Sequence, residues 1–185
     1  YMYSGCCTNV VDGKEIKMEA GDIVIMKPGS IHRIVWTGEN DILMNIILLP
    51  HAAATILNKT LVEGSELSAF LVDAVYSQTM IPNYLYLKLG KSPSIINIIN
   101  LLMCEYYDPD LIAAEVMVGS YLQGIFALIW RESILRPEIA KYSKKPNSLL
   151  AGIIAYVQVN CVTCTRESVA AHFGYSGSRI SNIIA

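Results

Sequence analysis

Over the first fifty positions, apolar and polar residues alternate in short blocks; after that the blocks lengthen and take helical spacing. Val10-Val11-Asp12-Gly13-Lys14 sets an Asp-Gly pair between two strand-like runs, a hairpin signal. Gly21-Asp22 leads into the apolar run Ile23–Met26, and Lys27-Pro28-Gly29 ends it with a turn. Ile31–Trp36 and Ile42–Leu49 predict two further strands, separated by the polar loop Thr37–Asp41 and closed by Pro50. Short strands joined by tight turns predict a barrel or a sandwich.

Helical periodicity begins at Ala52–Lys59 and is clearer over Ser65–Tyr76, where Leu67, Leu71, Val72 and Val75 share a face. Tyr-Leu-Tyr-Leu within Asn83–Leu89 breaks that period and predicts a strand returning to the β layer. A long helix is predicted over Pro93–Tyr107, with Ile95, Ile98, Ile99, Leu102 and Met103 in one stripe and Asp108-Pro109 as its stop. A second is predicted from about Leu111 to Glu132; its apolar side carries Val116, Tyr121, Ile125, Leu128 and Ile129. Residues 136–147, RPEIAKYSKKPN, are basic, bounded by proline and without apolar period, so they read as a linker. Leu149, Leu150, Ile153, Ile154 and Val157 then recur at helical spacing, followed by a loop over Asn160–Cys164. Thr165 is placed to cap a helix through Phe173, Gly174 to stop it, and Ser176 to cap the next. Three parts follow: residues 1–135 (strands in 1–50 and 83–89, helices in 52–76 and 93–132), a linker over 136–147, and a helical unit over 148–185.

Composition adds partners and compartment. Hydrophobic residues make up 53% and charged residues 16% of the chain, too apolar for disorder and sparse in charge for a monomer. That surplus predicts buried partner surface, hence a homodimer. The net charge of −2 is unevenly spread. Residues 1–130 carry 7 Lys and Arg against 13 Asp and Glu, whereas residues 131–185 carry 7 against 3. The basic end is the part expected to meet something anionic. No apolar run reaches membrane-spanning length and no signal peptide is visible, so no membrane association is expected. The five cysteines, Cys6, Cys7, Cys104, Cys161 and Cys164, form no framework and read as free thiols in a reducing cytoplasm. The start at Tyr1, without an initiator Met, reads as that of a fragment.

Function enters through two motifs. In Glu167–Ile184, ESVAAHFGYSGSRISNII, two short helices meet at Gly174. Val169 and Phe173 face inward from the first, Ile180, Ile183 and Ile184 from the second, and Ala170 is small where the helices approach. This is helix-turn-helix patterning, and it leaves Ser178, Arg179, Ser181 and Asn182 free of the core for base edges and phosphates. A plain helical hairpin fits the same pattern. The stretch resembles the first helix-turn-helix of AraC/XylS transcription regulators, with Leu149–Val159 and Thr165 at matching spacing. The resemblance implies base-facing roles for Ser178, Ser181 and Asn182, and phosphate contacts for Ser176 and Arg179. In that family a second helix-turn-helix follows some forty to fifty residues on. This chain stops at Ala185, so double-stranded DNA is expected to be bound weakly or not at all.

Gly21–His32, GDIVIMKPGSIH, resembles the second motif of cupin barrels, with Lys27 where the first proline would stand. The implied fold is α+β: a partial cupin-like (jelly-roll) barrel, paired long helices, then a truncated all-α helix-turn-helix unit. Cupin enzymes use such a histidine as a metal ligand, but only His51 and His172 accompany His32, too few for a three-ligand site. No metal, cofactor or catalytic residue is therefore expected. In AraC-type sensors the barrel holds a small organic effector instead. Tyr3, His32, Trp36 and Asn45 are the candidates for contacting it; each also reads as a side chain filling the core. The same resemblance makes Val116, Tyr121, Ile125, Leu128 and Ile129 the dimer contact, with packing against Pro93–Tyr107 as the other use of that helix. Three rivals remain: a metal-dependent cupin enzyme, a thiol-based redox sensor using Cys161 and Cys164, and a plain interaction module without effector.

Overall fold

The computed structural model describes residues 1–60, 65–76, 84–108, 112–143 and 148–184. Asn83, Pro109, Leu111, residues 144–147 of the predicted linker and Ala185 lie outside the described residues. The fold is α+β, with small antiparallel sheets, none closed, and a larger share of helix.

The hairpin forms where Asp12-Gly13 predicts it. β2 (Cys6–Val11) and β3 (Lys14–Glu19) pair in register from Cys6↔Glu19 to Val11↔Lys14. Both turn residues have positive φ, 49° at Asp12 and 79° at Gly13, the turn whose twist suits a two-residue hairpin. β5 (His32–Trp36) pairs with the other side of β2, so β2 is central in the order β3-β2-β5. β1 (Met2–Ser4) pairs only with β6 (Ile42–Leu43). The strand predicted over Ile42–Leu49 therefore stops after two residues. Tyr1 and Met44 extend the pairing by one more residue, exchanging amide–carbonyl bonds of 2.8 and 2.9 Å, and beyond it Ile46, Ile47 and Leu49 are exposed.

The second three-stranded sheet has the order β4-β7-β8, and its central strand explains the Tyr-Leu-Tyr-Leu pattern. All four residues of β7 (Tyr84–Leu87) are buried. Tyr84 and Tyr86 face Met2, Cys7, Val11, Ile16 and Met18, inside a sandwich of the two sheets. Leu85 and Leu87 face the other way, into a core with Phe70, Ile95, Ile99, Leu102, Ile125 and Ile129 from the helices. β4 (Ile23–Met26) flanks β7 on one side. On the other lies β8 (Ala140–Tyr142), inside the segment predicted as a linker. Its Lys141 suits an edge strand, where charge blocks further pairing, and buried Ile139 in the preceding 3-10 turn Pro137–Ile139 anchors it. Lys27, the departure from the cupin-like pattern, is buried and bridges to Asp73 at 2.9 Å, tying the end of β4 to the helix Glu66–Tyr76.

The helices are α1 (Pro50–Thr60), α2 (Glu66–Tyr76), α3 (Pro93–Tyr107) and α4 (Ala114–Leu135). They are followed by α5 (Ser148–Val159), α6 (Arg166–Phe173) and α7 (Gly177–Ile184). α3 and α4 pack against each other and cover the outer face of β7. α5 is apolar nearly all round because two neighbours use it. Leu150, Ala151 and Ile154 meet Ala69 and Val72 of α2, while Leu149, Ile153, Tyr156 and Val157 meet α6 and α7. The C-terminal helices are thus packed onto the rest of the fold through α5.

Candidate nucleic-acid interface

α6 and α7 form a hairpin whose ends are closed by local bonds. Thr165 caps α6 reciprocally: its Oγ1 accepts from the Ser168 amide at 3.1 Å, and its own amide donates to Ser168 Oγ at 2.9 Å. Gly174 ends α6 in the left-handed conformation, φ 69°. The amide of Gly174 donates to Ala171 O and that of Tyr175 to Ala170 O, the paired bonds of a Schellman turn. Ser176 then caps α7, its Oγ accepting from the Arg179 amide at 3.3 Å. Ile180, 1% exposed, seats α7 against Ile153, Val169 and Ala170. Gly152 on α5 lets the Phe173 ring approach; a Cβ there would lie 3.2 Å from it.

With Ile180 buried and Ile183 half-buried, α7 presents its polar residues outward; Ile184, expected to face inward, is 56% exposed, because the core contacts of α7 end at Ile183. Ser176, Ser178, Arg179, Ser181 and Asn182 are all exposed, as predicted from their register. Ser178, Ser181 and Asn182 lie three and four apart and share a face. The Arg179 guanidinium sits 4.5 Å from the Tyr175 ring centroid, a cation–π contact that orients it. Ser181 Oγ donates back to Gly177 O at 3.1 Å, so only its acceptor lone pairs face outward. The charge is modest. Arg166 and Arg179 are the cations of residues 148–184, and Arg166 is ion-paired with Glu167 at 2.9 Å. A backbone hydrogen bond at Glu167 itself, and then the pairing with Arg166, hold the Glu167 carboxyl below its usual range. Most of the basic surplus seen in the sequence lies in residues 131–147, ahead of this unit.

Cys161 and Cys164 stand in the turn before α6, where the amides of Thr163 and Cys164 both donate to Asn160 O. Cys161 is exposed and Cys164 half-buried, and both line a hollow of about 510 Å³ beside Val169, Ile180 and Ser181. No group of three or more His, Cys, Asp or Glu side chains placed for a metal ion occurs among the described residues.

The four residues singled out for an effector do not come together. Tyr3 is half-buried against the helix-side core, its ring edge-on to Tyr1. His32 is exposed on β5, an edge strand, and Trp36 at the end of that strand is 66% exposed. Asn45 is exposed in the irregular segment after β6. The interior they were expected to line is filled instead by Met2, Val11 and Met18. The residues offered for a dimer seam also divide. Val116 is exposed, Tyr121 and Leu128 are half-buried, and Ile125 and Ile129 are buried in the chain's own core against α3 and β7.

The polar groups that the interior does hold escaped sequence reasoning. Asp22, 1% exposed, accepts from Tyr86 Oη at 2.7 Å and from the Glu19 amide. Its other oxygen and Asn9 Oδ1 are buried without a partner among the described residues. Asn9 was legible: it keeps phase with Cys7 and Val11 on the inward face of β2.

Comparison with known proteins finds no matching family profile, no matching curated protein and no matching solved structure. No helix among the described residues is long and apolar enough to cross a membrane.

Proposed function

We propose that the chain is a cytoplasmic, small-molecule-responsive and sequence-specific DNA-binding transcription regulator acting as a homodimer. The observation that carries this reading is α7, with Ser176, Ser178, Arg179, Ser181 and Asn182 exposed on a hairpin fixed by caps and by Ile180. Its 8 residues span about 12 Å, the width of a B-DNA major groove. Asn182 and Ser178 are suited to base edges, and Arg179, held by Tyr175, to a phosphate. The resemblance of this stretch to AraC/XylS regulators supports the same assignment. It also supports reading the two facing sheets as part of a cupin-like sensor.

α5 supplies the link between sensing and DNA binding. A shift of α2 in the sensor moves Ala151 and Ile154, and the same rigid helix carries Ile153 and Tyr156 against α6 and α7. With Arg179 as the cation outside an ion pair among the described residues of 148–184, affinity for DNA is low and falls only shallowly with salt.

Selection of duplexes from a random pool tests the reading. The expected outcome is an enriched motif, against which Asn182→Ala loses about 1–3 kcal/mol of discrimination at one position. Arg179→Ala weakens all sequences alike and lowers the salt slope by about one. No enriched motif, or a motif bound equally by the Ser178→Ala/Asn182→Ala variant, overturns it.

A further inference from the structure

A second hollow, of about 330 Å³, lies where the edge strands of the two sheets face each other. From β3 come Glu15 and Lys17; from the β7–β8 side come Tyr84, Tyr86, Lys88 and Lys141. The arrangement follows from register. Residues 84, 86 and 88 alternate onto one face, and Lys141 stands opposite Tyr86 across the β7–β8 ladder. The Tyr86 hydroxyl lies 3.2 Å from Lys17 O, closing the base of the seam.

We propose that this hollow binds a small oxyanion, a phosphate ester or polycarboxylate, held by Lys17, Lys88 and Lys141. Three lysines and one glutamate, Glu15, are among its lining residues, although residues 1–130, which supply Lys17 and Lys88, are acidic on balance. Among the described residues none of these lysines is in an ion pair, whereas Lys27, Arg136 and Arg166 each have a carboxylate. Like charges gathered around a small hollow repel one another, and a bound anion relieves that repulsion. Tyr84 adds a donor. Its ring is buried, its hydroxyl has no hydrogen-bond partner among the described residues, and burial, with Asp12, keeps it protonated beyond the usual tyrosine range. Lysines on edge strands also prevent sheet-to-sheet pairing. That role alone requires neither a hollow nor an unpartnered tyrosine hydroxyl at its wall.

The site deepens the regulator reading by naming the class of its effector, and it rests on that reading only for the consequence at DNA. Lys141 stands on β8, the last strand before α5, so an anion drawn against it bears on the helix that α6 and α7 share.

The test is an amide-shift titration of the whole chain with sodium phosphate and with sodium citrate, against sodium chloride at matched ionic strength. Saturable shifts confined to residues 15–17, 84–88 and 141 are expected for one of the two oxyanions, and which one separates phosphate from carboxylate chemistry. Lys88→Gln and Lys141→Gln, both at exposed positions, each weaken binding about tenfold, and Arg33→Gln on the far edge of the β3-β2-β5 sheet leaves it intact. Shifts that follow ionic strength alone, or full binding by the Lys88→Gln/Lys141→Gln variant, overturn the proposal and leave the lysines as an edge guard only. Local, saturable binding that leaves affinity for a selected duplex unchanged upholds the site and removes its effector role.

Discussion

The hairpin α6–α7 and the strand β7 are built in opposite ways. The hairpin is closed by near neighbours, Thr165 with Ser168 and Tyr175 with Ala170. β7 is held by distant ones: Tyr86 meets Asp22, 64 residues away, and Tyr84 meets the Ser143 side chain, 59 away. A unit closed locally can seat one apolar face and leave every other position free for recognition. A strand buried on both faces has no free position, and its polar groups must find partners inside the fold. This is why the surface we propose for DNA lies on α7, while β7 reaches the surface only at its rim, where Tyr84 and Lys88 meet the seam.

The largest expected effect separates the two regions directly. Leu87→Ala and Ile180→Ala each empty a site that is almost fully buried, 0% and 1% exposed, at a cost of about 2–5 kcal/mol. Leu87→Ala loosens sheet and helices together and lowers the urea midpoint of the whole chain. Ile180→Ala speeds amide exchange chiefly in residues 149–184. Identical exchange patterns in the two variants would erase the distinction.

A smaller effect tests the local closure. Gly174→Ala places a side chain at φ 69°, and Thr165→Ala removes one arm of the cap; each costs about 1 kcal/mol. Thermal melting should show both losses, with the Leu85 and Leu87 amides as protected as before. Loss of that protection would mean that the hairpin and β7 unfold as one.

The smallest effect is on the β7 side and appears at alkaline pH. Burial, and then Glu66, pushes the Tyr142 hydroxyl from 10.0 up to about 12. Burial and the bond to Asp22 push Tyr86 up as well. Both keep their protons in the fold after the unfolded chain has lost them. Stability is therefore level below about pH 10 and falls as the pH climbs toward 12. Tyr142→Phe flattens part of that fall, as urea midpoints on either side of pH 10 will show; an unchanged slope would take Tyr142 out of the account.

Much of this was readable along the chain. The helix α3, the strand Ile23–Met26, the Asp12-Gly13 turn, the Thr165 cap and the Gly174 stop all stand where periodicity and turn chemistry put them. So does the exposure of the five polar residues around α7, because one seated stripe decides the rest of a short helix. What could not be read is equally particular. Residues 136–147 have a linker's composition, yet part of the segment is an edge strand, and an edge strand's solubility devices look the same as a linker's polarity. Ile42–Leu49 has a strand's composition, yet among the described residues it pairs only over Ile42 to Met44. His32, Trp36 and Asn45 have a pocket's chemistry, but whether they converge depends on sheet closure and not on residue type.

The sequence by itself determined the elements closed within a few residues: turns, caps, and the exposed polar positions of α7. Only the tertiary structure decided which strands acquire partners, that Ile125 and Ile129 belong to the chain's own core, and that Lys17, Lys88 and Lys141 share one hollow. The reason is physical. Local bonds depend on neighbours that the sequence states outright, whereas pairing and burial depend on which distant segments fit one another at a shared face.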